Sequence, residues 1–239
     1  MKYCDLTLPT PAENLACDEA LLGLCEEGGA EGVLRFWEAA SYFVVVGYAN
    51  QIEKEVNLEF CRQESIPVLR RCTGGGAVLQ GPGCLNYSLV LPIGTEGGFE
   101  SIPGTNEAIL RKHEAALSAL VSAPIERQGH TDLAIQGMKF SGNSQRRHKK
   151  FFLFHGSFLL HLDLNLIEKA LPLPSHQPAY RVNRSHKDFL VNLETPPDRI
   201  KAALVQAWAA RASLSEIPFH RISVLTQKRY LLDEWNFKF

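Results

Sequence analysis

The residues with the clearest chemical potential follow two adjacent arginines. The stretch RRCTGGGAVLQGPGCLNYS, residues 70–88, places Arg70 and Arg71 ahead of a glycine triplet made of Gly74, Gly75 and Gly76. Three glycines after a strand let the main chain approach an anion and turn several N–H groups toward it, and the arginines add positive charge. Because successive strand residues face opposite sides, we expect one arginine to enter this site and the other to pair with a carboxylate elsewhere. The segment predicts a phosphate site, and a β-bulge or hairpin turn beside surface arginines is the structural alternative.

Lys139 is the second candidate and lies in GHTDLAIQGMKFSGNSQRR, residues 129–147. It follows strand-like sequence and precedes a small-residue turn predicted over residues 141–144. A lysine ammonium here can hold a carboxylate or an α-phosphate while negative charge moves onto the phosphate oxygens. A solvated surface lysine is the alternative.

His155 is the third candidate, followed by Gly156 inside the apolar run FFLFHGSFLL, residues 151–160. A histidine in this setting is either a base or ligand, or a satisfied core residue. The phenylalanines around it can wall an apolar tunnel. Asp132 and Asn86 are candidate polar contacts, although a turn aspartate and a buried strand asparagine are equally natural structural parts.

A basic cluster, RRHKK at residues 146–150, follows the Lys139 segment. We interpret it as a solvated hairpin tip. The alternative is a docking patch for an acidic partner, because local charge speeds such encounters.

Overall charge and hydropathy exclude several function classes. The chain has 239 residues, with 25 Lys and Arg against 26 Asp and Glu, and a formal net charge of −1. With no global positive field, neither nucleic acid nor an anionic membrane is an expected partner. No N-terminal apolar segment and no apolar run of 18 or more residues is present, so a cytoplasmic location is expected.

The cysteines do not suggest a metal site. All six lie in the first 84 residues, and none has metal-ligand spacing: Cys4, Cys17, Cys25, Cys61, Cys72 and Cys84. We therefore predict no metal centre. Most should be buried small hydrophobic residues, with Cys72 and Cys84 set apart by their place in the glycine-rich segment.

The arrangement of elements favours an α+β fold with mixed or antiparallel sheets, because strand-like segments arrive in neighbouring clusters separated by helices. Helical periodicity covers residues 12–28 and 106–122. Residues 151–164 read as a strand pair or one long bent strand, and residues 101–107 and 171–188 read as loops. With no linker visible, we expect a single domain over residues 1–239.

Taken in order, these stretches resemble the lipoate–protein ligase A family of the biotin and lipoate ligase superfamily. Residues 70–88 resemble the family's arginine pair, Ser/Thr, glycine triplet and Leu-Asn-Tyr-Ser run. Residues 129–147 resemble its Gly-x-x-Asp-Leu, Lys and Ser-Gly segment, and FHGSFLLHLDL resembles its His-Gly strand. The similarity runs from about residue 12 to residue 210, and it implies the family's catalytic-domain fold.

The resemblance implies an enzyme that uses ATP and Mg²⁺ to convert lipoate or octanoate to an acyl-AMP. The acyl group then passes to a lysine of an acceptor such as a lipoyl-domain protein. In this scheme Lys139 contacts the carboxylate-derived oxygen and the phosphate, and the glycine triplet packs against the acyl-adenylate with Arg70 or Arg71 on the phosphate side. The remaining binding residues implied are Asn86, Asp132, Gly142, Asn143, His155 and Gly156.

Two alternatives belong to other classes of protein. Octanoyl- and lipoyl-transferases share the fold but pass the acyl group through a cysteine thioester, which needs a thiolate near the lysine. No cysteine follows Cys84, which favours the ligase unless Cys72 or Cys84 has taken that role. A non-catalytic module that binds lipoyl or acyl-carrier domains is the other alternative. Biotin ligation fits the motifs less well.

The sequence also departs from the family pattern. Gln80-Gly81 stands where typical ligases have His-Asp, and Cys84 replaces a usual Asn, so acyl specificity or nucleotide contacts are expected to differ. The chain ends at Phe239 without the additional C-terminal domain that many of these ligases carry. We therefore expect dependence on a separate accessory protein, use of a preformed adenylate, or independent activity.

Overall fold

A computed structural model describes residues 1–94 and 96–239 and confirms the predicted α+β class. The strands are β1 (Lys2–Asp5), β2 (Val33–Trp37), β3 (Phe43–Val46), β4 (Val68–Arg70), β5 (Val78–Gln80), β6 (Cys84–Pro92), β7 (Ile125–Gln128), β8 (Asp132–Ile135), β9 (Met138–Arg147), β10 (Phe151–Leu159) and β11 (Ala212–Ser213). The α-helices are α1 (Pro11–Glu26), α2 (Ile52–Glu55), α3 (Leu58–Gln63), α4 (Ile102–Leu117), α5 (Leu164–Ala170), α6 (His186–Phe189), α7 (Pro197–Ala207), α8 (Phe219–Leu225) and α9 (Asp233–Asn236). Short 3₁₀ turns lie at Glu96–Gly98, Ser118–Leu120 and Ala179–Arg181, and a π-helical turn lies at Thr226–Tyr230.

The strands form a larger sheet of eight and a smaller sheet of three. The larger sheet has the order β11-β1-β2-β6-β10-β9-β8-β7, and the smaller has the order β4-β3-β5. In the larger sheet β1 is parallel to β2 and β11, and the other neighbours are antiparallel. In the smaller sheet β3 is parallel to β4 and antiparallel to β5. Both sheets are therefore mixed.

Helices cover both faces of the larger sheet. Val90 of β6 lies in one hydrophobic cluster with Leu21 of α1. Its neighbour Leu89 lies in another cluster with Ile109 of α4 and Leu204 of α7. Successive strand residues point to opposite faces, so α1 covers one side of β6 while α4 and α7 cover the other. Strand β6 is consequently buried over residues 84–91.

The C-terminal segment returns to the start of the fold. Strand β11 pairs with β1, α8 packs on α1, and α9 packs on β4. Residues after α7 thus add an edge strand to the larger sheet and pack against β4, an edge strand of the smaller sheet. No helix in residues 1–94 and 96–239 has both the length and the apolar character needed to cross a membrane.

The structure corrects the loop predicted over residues 101–107. Helix α4 begins at Ile102, and the Ser101 side chain accepts a hydrogen bond from the backbone N–H of Gly104. Pro103 lies in the first turn, where its missing N–H costs no helical hydrogen bond. The helix therefore starts within the stretch whose proline and glycine suggested a loop.

The structure also corrects the predicted turn at residues 141–144, which lies inside β9. Backbone pairing with β8 and β10 on either side keeps these small residues extended. Strand β10 is one strand that ends at Leu159. Residues 148–150 form the hairpin tip, so the prediction of a solvated cluster was wrong for Arg146 and Arg147, which donate to the carbonyls of Cys72 and Phe99.

Candidate active site

A cavity of about 700 Å³ is lined by residues from both sheets. Its wall contains ten of the twelve residues predicted from the sequence: Arg71, Gly75, Gly76, Asn86, Asp132, Lys139, Gly142, Asn143, His155 and Gly156. Apolar side chains supply much of the remaining wall, among them Trp37, Val45, Leu79, Leu159, Ile167 and Phe189. The cavity therefore joins a polar region to an apolar one.

Lys139 lines the cavity, and among the described residues its ammonium forms one ion pair. Its Nζ lies 2.8 Å from Oδ1 of Asp132, and the two side chains are 25% and 9% exposed. The second carboxylate oxygen of Asp132 accepts a hydrogen bond from the Tyr180 hydroxyl at 2.8 Å. The ammonium is thus held by one carboxylate on a partly open wall, where a ligand oxygen can approach it.

A bulge in β9 explains the direction of the lysine. Leu133 pairs with Ser141 and Ala134 pairs with Lys139, which leaves Phe140 as an extra residue on β9. Residues three apart in a regular strand face opposite sides, whereas a bulge can bring them to the same side. A Cβ placed on Gly142 would lie 2.7 Å from Lys139 Nζ, so the lysine passes over the glycine and uses the space that a side chain would fill.

The glycine triplet curls around the Arg71 guanidinium. Arg71 Nη2 donates to the carbonyls of Gly74 and Gly76, the latter at 2.9 Å, and Nε donates to Thr73 Oγ1 at 3.0 Å. Gly75 has a φ of +86°, and a Cβ there would lie 2.8 Å from Arg71 Nη2. Burial lowers the pKa of Arg71 to about 10, which leaves it cationic at neutral pH.

Arg70 does not line the cavity, unlike its neighbour in the predicted phosphate site. It is fully buried, and its side chain donates to five backbone carbonyls: those of Gly47, Tyr48, Asn50, Trp235 and Asn236. The expected carboxylate partner was therefore wrong. The two arginines were expected to point to opposite sides of the strand. The C-terminal segment that accepts hydrogen bonds from Arg70 lies too far along the chain for a local sequence pattern to indicate it.

Gly74 is the other predicted residue outside the cavity wall. Its carbonyl accepts a hydrogen bond from Ser144 Oγ at 2.9 Å. Arg146, two residues further along β9, donates to the Cys72 carbonyl at 2.8 Å. These contacts fasten the loop that carries the triplet to the larger sheet.

A chain of polar contacts that the sequence did not predict lies beneath this loop. Thr73 Oγ1 is 2.7 Å from His155 Nε2, and His155 Nδ1 is 3.1 Å from Oδ2 of Asp18. Asp18 also pairs with Arg35 at 2.6 Å. Burial opposes ionisation of Asp18, but Arg35 and the His155 contact hold its pKa below the usual range. The signal available was a pair of polar residues, Asn14 and Asp18, one turn apart on the buried face of the first predicted helix.

Asn143 and Asn86 supply amides to the wall. Asn143 accepts from the Tyr87 hydroxyl and donates to the Thr131 carbonyl at 2.7 Å. A Cβ on Gly156 would lie 1.8 Å from Asn143 Oδ1, so this glycine makes room for the amide. Asn86 Oδ1 is buried and has no hydrogen-bond partner within the described ranges.

The loop predicted over residues 171–188 closes one side of the cavity. It contributes Pro174, His176, Pro178 and Arg181 to the wall, and it contains a 3₁₀ turn and the start of α6. Tyr180 within it has a raised pKa because of burial and the adjacent Asp132 carboxylate. Composition identified the loop, but only the fold shows that it contacts Asp132, the partner of Lys139.

None of the six cysteines, all of which lie in the described part of the chain, lines the cavity. Cys72 is 4% exposed and Cys84 is fully buried. Burial raises the pKa of each thiol to about 12, so both are neutral at physiological pH. The two cysteines kept as alternative nucleophiles are therefore poorly placed and poorly activated.

Comparison with known proteins gives a family match. The family model described as the lipoyl protein ligase A/B catalytic domain matches residues 10–208. Octanoyltransferase LipM of Lysinibacillus sphaericus (strain C3-41) is 30% identical and the alignment covers 96% of this chain and 95% of the relative. Lipoate-protein ligase A subunit 1 of Thermoplasma acidophilum is 27% identical, with 97% and 95% covered.

Solved structures agree on the fold. A bi-partite lipoate protein ligase from Thermoplasma acidophilum, described with its E2 lipoyl domain, has a TM-score of 0.83 at 24% identity and covers 99% of this chain and 95% of its own. A lipoate-protein ligase A bound with ATP has a TM-score of 0.81 at 24% identity, with 99% and 98% covered.

Proposed function

The chain belongs to the lipoyl protein ligase A/B catalytic domain family, and we propose that it is an ATP-dependent lipoate– or octanoate–protein ligase. The observation that carries the proposal is the composition of the cavity wall. A singly paired lysine, a glycine loop and an apolar region share one cavity, and no thiol lies on its described wall. These groups suit an adenylate better than a thioester.

The lack of a cysteine thiol on the described cavity wall distinguishes the proposed ligase from a thioester-dependent transferase. A relative named as an octanoyltransferase is similar along nearly the whole chain, so transfer from a thioester donor is the second candidate. A covalent thioester route requires a thiolate that touches the acyl group. Cys72 and Cys84 do not line the cavity, and burial keeps both protonated. Direct activation of the carboxylate needs no such group.

In the first step the fatty-acid carboxylate attacks the α-phosphorus of ATP and pyrophosphate leaves. Lys139 neutralises charge on the carboxylate and the α-phosphate as the new P–O bond forms. Asp132 keeps the ammonium aimed into the cavity until ligand oxygens take over part of its coordination. The polar wall thereby holds the two reactants in attacking geometry.

The apolar wall accommodates the acyl chain. Trp37, Val45 and Leu79 are buried and line the cavity. Burying each methylene contributes about 0.8 kcal/mol, so an eight-carbon chain supplies substantial binding energy. Gly75 and Gly76 lie on the same wall, where their lack of side chains lets the backbone approach the acyl-adenylate.

The second step transfers the acyl group to a lysine of a lipoyl-domain acceptor, with residues 1–239 acting as one catalytic domain. The Thermoplasma acidophilum ligase is described as bi-partite and is described together with its E2 lipoyl domain. By analogy we propose a lipoyl domain as acceptor here, and a separate accessory subunit if the chain alone is inactive.

The test measures acyl transfer from two donors. Purified protein is incubated with a lipoyl domain and one of two donors. The first donor is free octanoate or lipoate with Mg²⁺, tested with and without ATP, and the second is an octanoyl thioester without ATP. The acceptor is then weighed by mass spectrometry. The proposal predicts an acyl-sized gain that requires ATP. A gain from an octanoyl thioester donor without ATP, and none from octanoate with ATP, would establish the transferase instead.

A further inference from the structure

Arg181 is a buried arginine that has no role in the adenylation step described above. Four arginines are buried within residues 1–94 and 96–239: Arg35, Arg70, Arg71 and Arg181. The side chains of the first three each donate five hydrogen bonds. Arg181 donates one, from Nε to the Arg184 carbonyl at 3.0 Å. It is therefore the buried arginine of this group with the fewest acceptors around its charge.

The two terminal nitrogens of Arg181 have no hydrogen-bond partner among the described residues. Nη2 is buried, whereas Nη1 keeps accessible surface, and the residue lines the cavity. No carboxylate of the described chain lies within ion-pair distance of this guanidinium. The Phe189 ring centroid lies 4.7 Å from Arg181 Cζ and offers stacking but no acceptor lone pair. Because a buried charge without an anion is costly, the site is suited to an anion that enters the cavity.

Arg184 is the matched contrast in the same loop. Its Cζ lies 5.1 Å from the centroid of the same Phe189 ring. Its guanidinium donates to four backbone carbonyls, those of Gly137, Tyr180, Arg181 and Asp188. Between the two arginines, Val182 and Asn183 have φ values of +51° and +56°, a left-handed conformation that is unfavourable for valine. This strained turn lets each arginine Nε bond the other's carbonyl, yet only Arg181 keeps its terminal donors free.

Two contacts place Arg181 near Lys139. Its chain neighbour Tyr180 donates to the carboxylate that pairs with the Lys139 ammonium. Phe189, which stacks with the Arg181 guanidinium, precedes Leu190, and Leu190 pairs with Lys139 through a parallel backbone bridge. Both cations also line the same cavity. A ligand with negative charge at more than one position can therefore contact the ammonium and the guanidinium together.

We propose that Arg181 binds the β- and γ-phosphates of the nucleotide and holds the pyrophosphate as it leaves. The inference rests on the proposed function. In adenylation the carboxylate oxygen bonds to the α-phosphorus, the bond from that phosphorus to the bridging oxygen breaks, and its electron pair stays on the pyrophosphate. Lys139 serves the carboxylate and the α-phosphate, so the charge that develops on the leaving group needs a second cation. Nη1 of Arg181 donates to a pyrophosphate oxygen, as guanidinium groups commonly do to phosphates.

Arg71 is the other arginine on the cavity wall, and it fits this task less well. Its Nε and Nη2 donate to Thr73 Oγ1 and to the carbonyls of Gly74 and Gly76, and its Nη1 donates to the Val45 carbonyl at 3.4 Å. All three of its nitrogens are thus used by the protein, whereas Arg181 uses one.

Nucleotide binding tests this proposal without catalysis. ATP and AMP, each with Mg²⁺, are titrated by calorimetry into the wild type and Arg181→Met in the absence of any fatty acid. We expect the variant to bind ATP at least about tenfold more weakly and AMP within about threefold of wild type, because only ATP carries the β- and γ-phosphates. Arg181→Lys should recover part of the ATP affinity, since it keeps the charge without the guanidinium geometry. Equal weakening of ATP and AMP, or unchanged ATP affinity, would overturn the proposal.

The half-reactions provide the second readout. Octanoyl-AMP formation from octanoate and ATP should fall about 10²-fold in Arg181→Met, because one donor to developing charge contributes about 10²–10³. Transfer from synthetic octanoyl-AMP to a lipoyl domain releases no pyrophosphate and should stay within about threefold of wild type. Equal losses in the two half-reactions would overturn the proposal.

Stability and the wild type provide the controls. Removing a buried cation that donates one hydrogen bond should leave the thermal midpoint near that of the wild type. If Arg181→Met does not fold, Arg181→Gln takes its place in both comparisons. A wild type that binds no ATP and forms no octanoyl-AMP would overturn the proposed ligase. A wild type that does both, matched by the Arg181 variant, would overturn only the role of Arg181.

Discussion

Lys139 and Arg70 are both cations that the sequence assigned to one site, yet their surroundings differ. Within residues 1–94 and 96–239 Lys139 has one carboxylate partner, and its side chain is 25% exposed. Arg70 is fully buried, and five backbone carbonyls accept its hydrogen bonds. A cation with one exchangeable partner can accept a ligand, whereas one enclosed by several main-chain acceptors holds the fold. The number of acceptors around a charge therefore distinguishes a chemical role from an architectural one.

The largest effect is expected when Arg70 is removed. Arg70→Met should lower the free energy of unfolding by about 3–5 kcal/mol, because buried carbonyls from two distant segments lose their donor. Urea denaturation measures this change. Arg70→Lys should recover only part of the loss, since an ammonium has fewer donors. A variant as stable as the wild type would remove the contrast with Lys139.

Removing Lys139 should affect activity and leave stability nearly intact. Lys139→Met is expected to slow ATP-dependent acylation by about 10²–10³, because it removes the charge that stabilises the transition state. Its thermal midpoint should stay close to that of the wild type, since the side chain is partly exposed. Acylation within about threefold of wild type would contradict the catalytic role.

An intermediate effect is expected from Gly142→Ala, which leaves the lysine in place but fills its path. The added Cβ would lie 2.7 Å from Nζ, so the ammonium must shift. A small misplacement of a catalytic group can cost about 10²-fold, and we expect a loss of about tenfold to hundredfold in kcat. Gly94→Ala is the control, because a Cβ there meets no described atom within 4 Å. Equal activities would show that the lysine does not depend on this space.

The smallest effect is expected from Tyr180→Phe, which removes one hydrogen bond to Asp132. A single bond of this kind is worth about 0.5–1.5 kcal/mol, so kcat/KM should fall by about two- to tenfold. Steady-state acylation of the lipoyl domain measures it. A loss as large as that of Lys139→Met would mean that the tyrosine itself contacts the reacting groups.

Short sequence motifs predicted those cavity residues that are recognisable from their own type and their immediate neighbours. The glycine triplet, Lys139 and His155 stand out because their residue types are unusual where they occur, and the cavity collects most of this predicted set. The α+β class followed from the order of apolar segments in the same way. The roles assigned to these residues remain predictions.

Contacts between distant parts of the chain could not be predicted. The bulge at Phe140 arises from pairing with β8. Pairing with β8 and β10 also keeps residues 141–144, the predicted turn, in extended conformation. Asp18 meets His155 across 137 positions, and Arg70 meets Asn236 across 166. In each case the partner is an ordinary aspartate or asparagine whose importance appears only when strands and helices have packed.

The most direct test of the central claim is detection of the acyl-adenylate itself. The purified chain is mixed with octanoate, ATP and Mg²⁺ without acceptor, and octanoyl-AMP is measured by mass spectrometry after quenching. The account predicts octanoyl-AMP in amounts comparable to the enzyme, and none above background with Lys139→Met. Absence of octanoyl-AMP from the wild type, together with acylation of a lipoyl domain by an octanoyl thioester without ATP, would contradict it.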